Sequence, residues 1–141
     1  MEYREYLKTL TRCPFCFEIE DRFIQKNDQA ILTYSLAPYH KHHLLIVPKR
    51  HVENLCDLTW EENVSIMALI VTGLNILNKL DHHDCTVLAR DTLSHGKSIP
   101  HLHYHIIPGG EIVDVSINTI SREVLNKSDE DVLLEELKAA L

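Results

Sequence analysis

Apolar positions along the chain change period several times, and each change marks an element. Residues 2–10 place Tyr3, Tyr6, Leu7 and Leu10 on one side of a short helix. Cys13-Pro14-Phe15-Cys16 follows as a tight knuckle, which the fixed φ of Pro14 helps to preform. Residues 23–26 and 30–36 read as strands separated by the turn-forming Asn27-Asp28. Residues 43–47 form a third short apolar strand, stopped by Pro48. A helix is expected over residues 59–80, because Thr59 can cap it and Glu62, three residues on, completes a capping box. There Val64, Met67, Ala68, Val71, Leu74, Leu77 and Asn78 recur at helical spacing and predict one almost wholly apolar face. Gly73 weakens that helix unless a close packing contact requires a small residue.

Residues 85–90 read as a strand, 91–98 as a loop and 101–107 as another strand, ended by Pro108-Gly109-Gly110. Residues 129–141 make a final amphipathic helix. Strands close in sequence and mixed with helices predict an α+β domain with a largely antiparallel sheet. A length of 141 residues suits one domain, residues 1–141, with a core that needs no disulfide staples.

Composition narrows the chemistry. A net charge of −7 argues against a broad electrostatic grip on nucleic acid but leaves room for a small anion in a local pocket. The chain has no run of about 18 apolar residues that would span a membrane. The opening MEYREYLKTL lacks the apolar core of a leader, so a cytoplasmic location is expected. The four cysteines, Cys13, Cys16, Cys56 and Cys85, are then thiols or metal ligands. Ten histidines are unevenly placed, with four at positions 40–51 and four at 95–105.

In the second group, alternation along a strand puts His101, His103 and His105 on one face, roughly 7 Å apart, and Leu102, Tyr104 and Ile106 on the other. Three imidazoles in a row cost desolvation unless each finds a partner. Such a row can hold a metal, or it can supply a neutral nitrogen that attacks phosphorus. The preceding Gly96-Lys97-Ser98 favours phosphorus: glycine admits a phosphate close to the backbone, lysine adds a charge and serine a hydroxyl. The Cys13-x-x-Cys16 pair sets two thiols on one turn, a spacing that suits tetrahedral zinc.

His101-Leu102-His103-Tyr104-His105-Ile106-Ile107, with its preceding Gly-x-Ser, resembles the signature of the histidine-triad (HIT) family. The cysteine pair, the segment from Pro38 to His51 and the long middle helix extend the resemblance over nearly the whole chain. It implies a five-stranded antiparallel sheet and a two-fold homodimer. It implies that His103 attacks phosphorus to form a covalent nucleotidyl-histidine, with a backbone carbonyl orienting its other nitrogen. His105 then contacts the phosphate and the scissile bridge, and Lys97 and Ser98 touch phosphate and leaving group. His43 matches a recurrent histidine beside the triad. The cysteine-containing members imply a closed structural Zn2+ site of Cys13, Cys16, His51 and His101.

Two departures shape the expected substrate. The family's ribose-binding aspartate falls at Ser35, and the glycine before the strand histidine is His42. Arg90 and Lys97 stand where neutral amides are more common, so the added charge points to a dinucleoside polyphosphate or another highly charged nucleotide over a simple phosphoramidate. Retention of His105 favours hydrolysis over nucleotidyl transfer, and a nucleotide-binding adaptor is the non-enzymatic alternative. Cys56 and Cys85 read as core residues and Trp60 as a packing residue. His82-His83 suit the negative end of the helix dipole. His40 and His42 carry no assigned role, and His95 is a pocket candidate.

Overall fold

The computed structural model describes residues 1–91, 98–109 and 121–141. Its elements are α1 (Tyr3–Thr9), α2 (Pro14–Phe17), β1 (Phe23–Lys26), β2 (Ala30–Tyr34), β3 (Leu44–Pro48), α3 (Trp60–Lys79), β4 (Cys85–Ala89), β5 (Tyr104–Pro108) and α4 (Lys127–Ala139). The strands form one five-stranded sheet in the order β1-β2-β3-β5-β4, antiparallel at every pairing, so the fold is α+β.

Strands β2 and β3 are buried throughout because both their faces are covered. Leu32, Tyr34, Leu44, Ile46 and Ile106 pack under α3 and α4, against Ile66, Leu69, Ile70, Leu77, Leu133 and Leu137. Ile31, Leu45 and Val47 point the other way, against Phe15, Ile19 and Ile99. His105 opposes Leu45 and Leu88 in the ladders, and therefore shares the face away from the long helix.

Local signals set the helix ends. Thr59 Oγ1 accepts from the Glu62 amide at 3.1 Å at the start of α3, and Asn126 Oδ1 accepts from the Asp129 amide at 2.9 Å at the start of α4. Past the end of α3, Asp81 takes φ +68°, while the His82 amide donates to the Leu77 carbonyl at 2.8 Å and Asp81 N–H to Asn78 O at 3.1 Å. That is a Schellman closure, and it fixes the backbone of His82.

Several expectations need correction. The face of α3 turned to the sheet is Ile66, Leu69, Ile70, Gly73, Ile76 and Leu77. Val64, Met67 and Val71 are exposed instead, in line with Trp60, which is 78% exposed and packs on nothing within the core. The helix is apolar on two sides: of the expected face, Leu77 is buried and Leu74 packs against the core, but Val64, Met67 and Val71 belong to the outer side. Cys56 is exposed in a 3-10 turn, not buried. The histidine strand is shorter than its alternation implies, since pairing begins at Tyr104 and leaves His101 and His103 outside the ladder. Among the described residues, no helix is long and apolar enough to cross a membrane.

Candidate active site and metal centre

His103, His105 and His43 meet on the sheet face opposite α3, each held by a specific hydrogen bond. His103 Nδ1 donates to the His101 carbonyl at 2.8 Å, so the neutral ring carries its lone pair on Nε2. The Tyr39 amide donates to His43 Nδ1 at 3.3 Å. His43 Nε2–H must then be the donor to His105 Nδ1, at 2.9 Å. This relay leaves His105 with its proton on Nε2. The rings of His103 and His105 lie 4.8 Å apart, and the edge of Phe15 closes on His103 at 5.1 Å. Burial pushes His105 well below the usual histidine range, reinforced by His103, His43, Arg90 and Arg122. Burial, with Arg122 and His103 nearby, pushes His43 down to about 3. Both are therefore neutral near pH 7, and the tautomers assigned from the hydrogen bonds are self-consistent.

His103 and His105 open on a cleft of about 560 Å3, counting the open solvent at its mouth. Ser35, Ser98 and Arg90, candidates named from the sequence, line it. Ser98 Oγ is 2.8 Å from the Tyr3 hydroxyl. Lys97 and His95 lie outside the described residues.

Arg122 and Arg22 also line the cleft, and the sequence reading missed both. Arg122 is stacked between Tyr3 and Tyr39, 4.5 and 4.1 Å from their ring centroids, and donates to the Ala37 carbonyl at 2.7 Å. It reaches the cleft because the N-terminal segment pairs with its backbone: Tyr3 N–H donates to Arg122 O at 2.8 Å, and Glu2 bridges Glu123. No local motif marks that residue.

Beside this site, Cys13, Cys16, His51 and His101 bring one ligand atom each to within 4.8 Å of one another. Cys13 Sγ is 3.4 Å and Cys16 Sγ 3.5 Å from His101 Nδ1, and Cys16 Sγ is 3.3 Å from His51 Nδ1. His101 Nε2 donates to the Pro48 carbonyl at 2.8 Å, so its Nδ1 lone pair faces the sulfurs. His51 Nε2 lies 3.7 Å from the Glu53 carboxylate. The His101 imidazole is thus oriented from behind by an oxygen, the usual support of a metal-bound histidine. Burial and the adjacent Cys13 thiol push Cys16 up to about 11, a resistance to ionisation that a cation would relieve. The donor set fits a closed tetrahedral metal site.

His82 does more than face the helix dipole: its Nε2 lies 2.8 Å from His42 Nδ1. His83 keeps to its own turn, bonded to Asp81 at 2.9 Å and to Asn78.

The sequence matches the HIT domain family over residues 16–112, and the chain belongs to that family. An uncharacterised HIT-like protein of Methanocaldococcus jannaschii is 23% identical over 126 residues, which is 79% of this chain and 98% of that protein. An AP-4-A phosphorylase of Mycobacterium tuberculosis is 29% identical over 76% of this chain, and the match spans 57% of the relative's length. An asymmetrical bis(5'-nucleosyl)-tetraphosphatase of Schizosaccharomyces pombe is 28% identical over 67% of this chain and 52% of its own. Against these last two, the chain spans little more than half the relative. Among solved structures, a hypothetical histidine triad nucleotide-binding protein from Sulfolobus tokodaii superposes with a TM-score of 0.73 at 23% identity, covering 91% of both chains. A Zn-bound histidine triad protein from Mycobacterium smegmatis gives 0.69 at 19% identity, again over 91% of both.

Proposed function

We propose that this chain is a nucleotide hydrolase of the histidine-triad type, acting on a dinucleoside polyphosphate or a related phosphoramidate. In the first step the Nε2 lone pair of His103 forms a bond to the α-phosphorus. The bond to the leaving group breaks, and its electron pair departs with that group. The His105 Nε2–H donates to the bridging atom or to a non-bridging phosphate oxygen as charge gathers there. In the second step the oxygen of water attacks phosphorus, the N–P bond breaks and its electrons return to His103. The products are a nucleoside monophosphate and a proton released from the water.

The observation that carries this reading is the chain of hydrogen bonds from the Tyr39 amide through His43 to His105, beside His103 tied to the His101 carbonyl. It supports reading one ring as nucleophile and the next as donor. Arg22, Arg90 and Arg122 around the cleft favour the polyphosphate over the phosphoramidate. Phosphorolysis, with phosphate in place of water, is the second reading, favoured by the AP-4-A phosphorylase relative. The two differ in product, a nucleoside diphosphate against a monophosphate.

The test is a quenched intact-mass measurement on wild type and His103→Ala, with diadenosine polyphosphates and nucleoside phosphoramidates, each with and without phosphate. The expected result is a nucleotidyl adduct in wild type and none in His103→Ala. Failure of wild type to form an adduct or turn over any of these substrates overturns the proposal.

Cys13, Cys16, His51 and His101 are proposed to hold zinc, a reading supported by their donor set and by the Zn-bound relative of the same fold. With no open position the ion serves structure, fastening the knuckle to the segment that carries His103. A two-fold dimer is also proposed. It rests on the exposed line Trp60, Val64, Met67 and Val71 on α3 and on Val87, exposed on the edge strand β4. Met67→Glu should give a monomer by sedimentation equilibrium, and an unchanged mass would refute that surface. Cysteines left as thiols suit a cytoplasmic protein.

A further inference from the structure

We propose that His40, His42 and His82 form a second metal site, which takes a late first-row divalent cation of the Zn2+ or Ni2+ type. The three residues come from two separate places. His40 and His42 lie on the turn between β2 and β3, and His82 follows the end of α3. Their ligand atoms lie within 4.8 Å of one another. The His40 ring is edge-on to His82 at 5.0 Å, and the His42 ring stands 5.0 Å from His82.

The hydrogen bonds set the tautomers that an incoming ion would meet. His40 Nδ1 accepts from the His42 amide at 3.0 Å, so the neutral ring carries its proton on Nε2 and must give it up there before Nε2 can ligate. His42 Nε2 lies 3.1 Å from Glu136 Oε1 on α4. A carboxylate only accepts, so the proton sits on Nε2 and the His42 lone pair is on Nδ1. That lone pair points to His82 Nε2 at 2.8 Å. An ion bound at about 2.0–2.1 Å by two imidazoles in tetrahedral geometry sets their nitrogens roughly 3.3 Å apart. Parting His42 and His82 by about half an ångström, with His82 and His40 each moving a proton to Nδ1 and His40 releasing the His42 amide, admits the ion.

Two features distinguish this group from a solvated histidine cluster. His42 is only 8% exposed, where an imidazole needs a purpose for both nitrogens. Its outer nitrogen is held by Glu136, the carboxylate support that metal-bound histidines typically carry. The other oxygen of Glu136 pairs with Lys41 at 2.8 Å, so the carboxylate is pinned from both sides. The His82 backbone is fixed in turn by the Schellman closure. Three imidazoles leave a coordination position for water or an anion, a set that suits zinc, nickel or copper. The site stands at the other end of β3 from Cys13, Cys16, His51 and His101. It would clamp the turn carrying Tyr39 and His43, the residues that set the His105 tautomer.

The experiment loads the purified chain with Co2+, then with Zn2+, and counts bound ions by elemental analysis after desalting. Absorption spectra separate the sites, because thiolate ligation gives an intense near-ultraviolet charge-transfer band and an all-histidine site does not. Wild type should bind two ions per chain. His40→Ala and His82→Ala should each bind one and keep the thiolate band. Glu136→Gln should weaken the second ion by roughly 10–100-fold without removing it. Far-ultraviolet circular dichroism of the metal-free variants checks that they fold, and His82→Gln supplies a milder replacement should His82→Ala not fold. Stoichiometry that is the same in wild type and in the folded histidine variants overturns the proposal, as does an affinity indifferent to Glu136. Loss of the thiolate band alone would count against the Cys13–Cys16 assignment and leave this difference measurement intact.

Discussion

Gly73 offers a test in which geometry fixes the sign of an effect that propensity alone would get wrong. It lies inside α3, where alanine is ordinarily better by about 1 kcal/mol. A Cβ there would stand 2.8 Å from Ile106 Cδ1, 3.4 Å from Leu44 Cδ1 and 3.5 Å from Leu32 Cδ1. Apolar carbons rest at about 3.5–4.0 Å, so the first contact is short by most of an ångström. Ile106, Leu44 and Leu32 are fully buried, so the displaced δ-methyl has little room to move. Overpacking of this kind costs about 1–3 kcal/mol. Gly73→Ala should therefore destabilise the protein by about 1 kcal/mol net. Ile106→Val removes the offending methyl and by itself should cost about 0.5–1.5 kcal/mol. In that background Gly73→Ala regains its propensity and should stabilise by about 1 kcal/mol, so the coupling in the cycle is about 2 kcal/mol. The assay is chemical denaturation of the four proteins at one protein concentration with zinc in excess, since binding and assembly shift apparent stability. A stabilising Gly73→Ala in wild type, or a coupling below about 0.5 kcal/mol, would refute the reasoning. Ile106 neighbours His105 on β5, so the strained single variant should also lose turnover that the double variant recovers.

Acid should destabilise the fold in a defined window. His43 and His105 are held neutral in the folded chain, His43 down to about 3, whereas the unfolded chain takes up their protons below about 6.5. Their contribution is therefore complete above pH 6.5 and is lost as the pH falls toward 3, at about 1 kcal/mol per pH unit for each. Denaturant midpoints at pH 7, 5.5 and 4.5 should fall accordingly, less steeply in His43→Gln, and a midpoint unmoved between pH 7 and 5 refutes the buried neutral pair. Arg122→Gln should raise KM for a diadenosine polyphosphate about 10–100-fold with a smaller change in kcat, reflecting one lost charged hydrogen bond. An effect on kcat alone would place that guanidinium in the chemical step instead. If Cys13, Cys16, His51 and His101 hold zinc as proposed, a chelator should lower the melting temperature by several degrees, and the proposed activity should fall only as the protein unfolds. Immediate loss of turnover in a chain still folded by circular dichroism would give the metal a chemical role.

How far the sequence could be read depended on how local each signal was. The cap at Thr59, the knuckle around Pro14 and the strands β1, β2 and β3 follow from neighbours in sequence, and they fall within a residue or two of expectation. The buried side of α3 does not. Ile66, Ile70 and Leu77 make as good a stripe as Val64, Met67 and Val71, and only the sheet decides between them. Arg122 reaches the cleft through pairing with the N-terminal segment, more than a hundred residues away in sequence. The partnership of His42 with His82 depends on a turn and a helix end whose meeting no periodicity encodes.

In the triad, the expected strand gives way to a different local backbone while the three rings still gather in one region. Alternation puts His101, His103 and His105 on one face of a strand. In a regular strand, however, the His101 carbonyl would be free to enter a ladder. Here the ladder starts at Tyr104, and the backbone before it is held differently: Leu102 N–H donates to Val52 O at 2.7 Å and His101 N–H to Ile99 O at 2.8 Å. The His101 carbonyl is thereby available to His103 Nδ1 at 2.8 Å, which sets the lone pair on Nε2. His105, by contrast, sits within the ladder opposite Leu45, one residue beyond Leu44 and two beyond His43, so β3 brings His43 Nε2 to its Nδ1. One histidine is oriented because its segment leaves the sheet, and the next because its own strand stays in it. The break between His103 and Tyr104 therefore divides the proposed nucleophile from the proposed donor, and the pattern of residue types alone cannot reveal it.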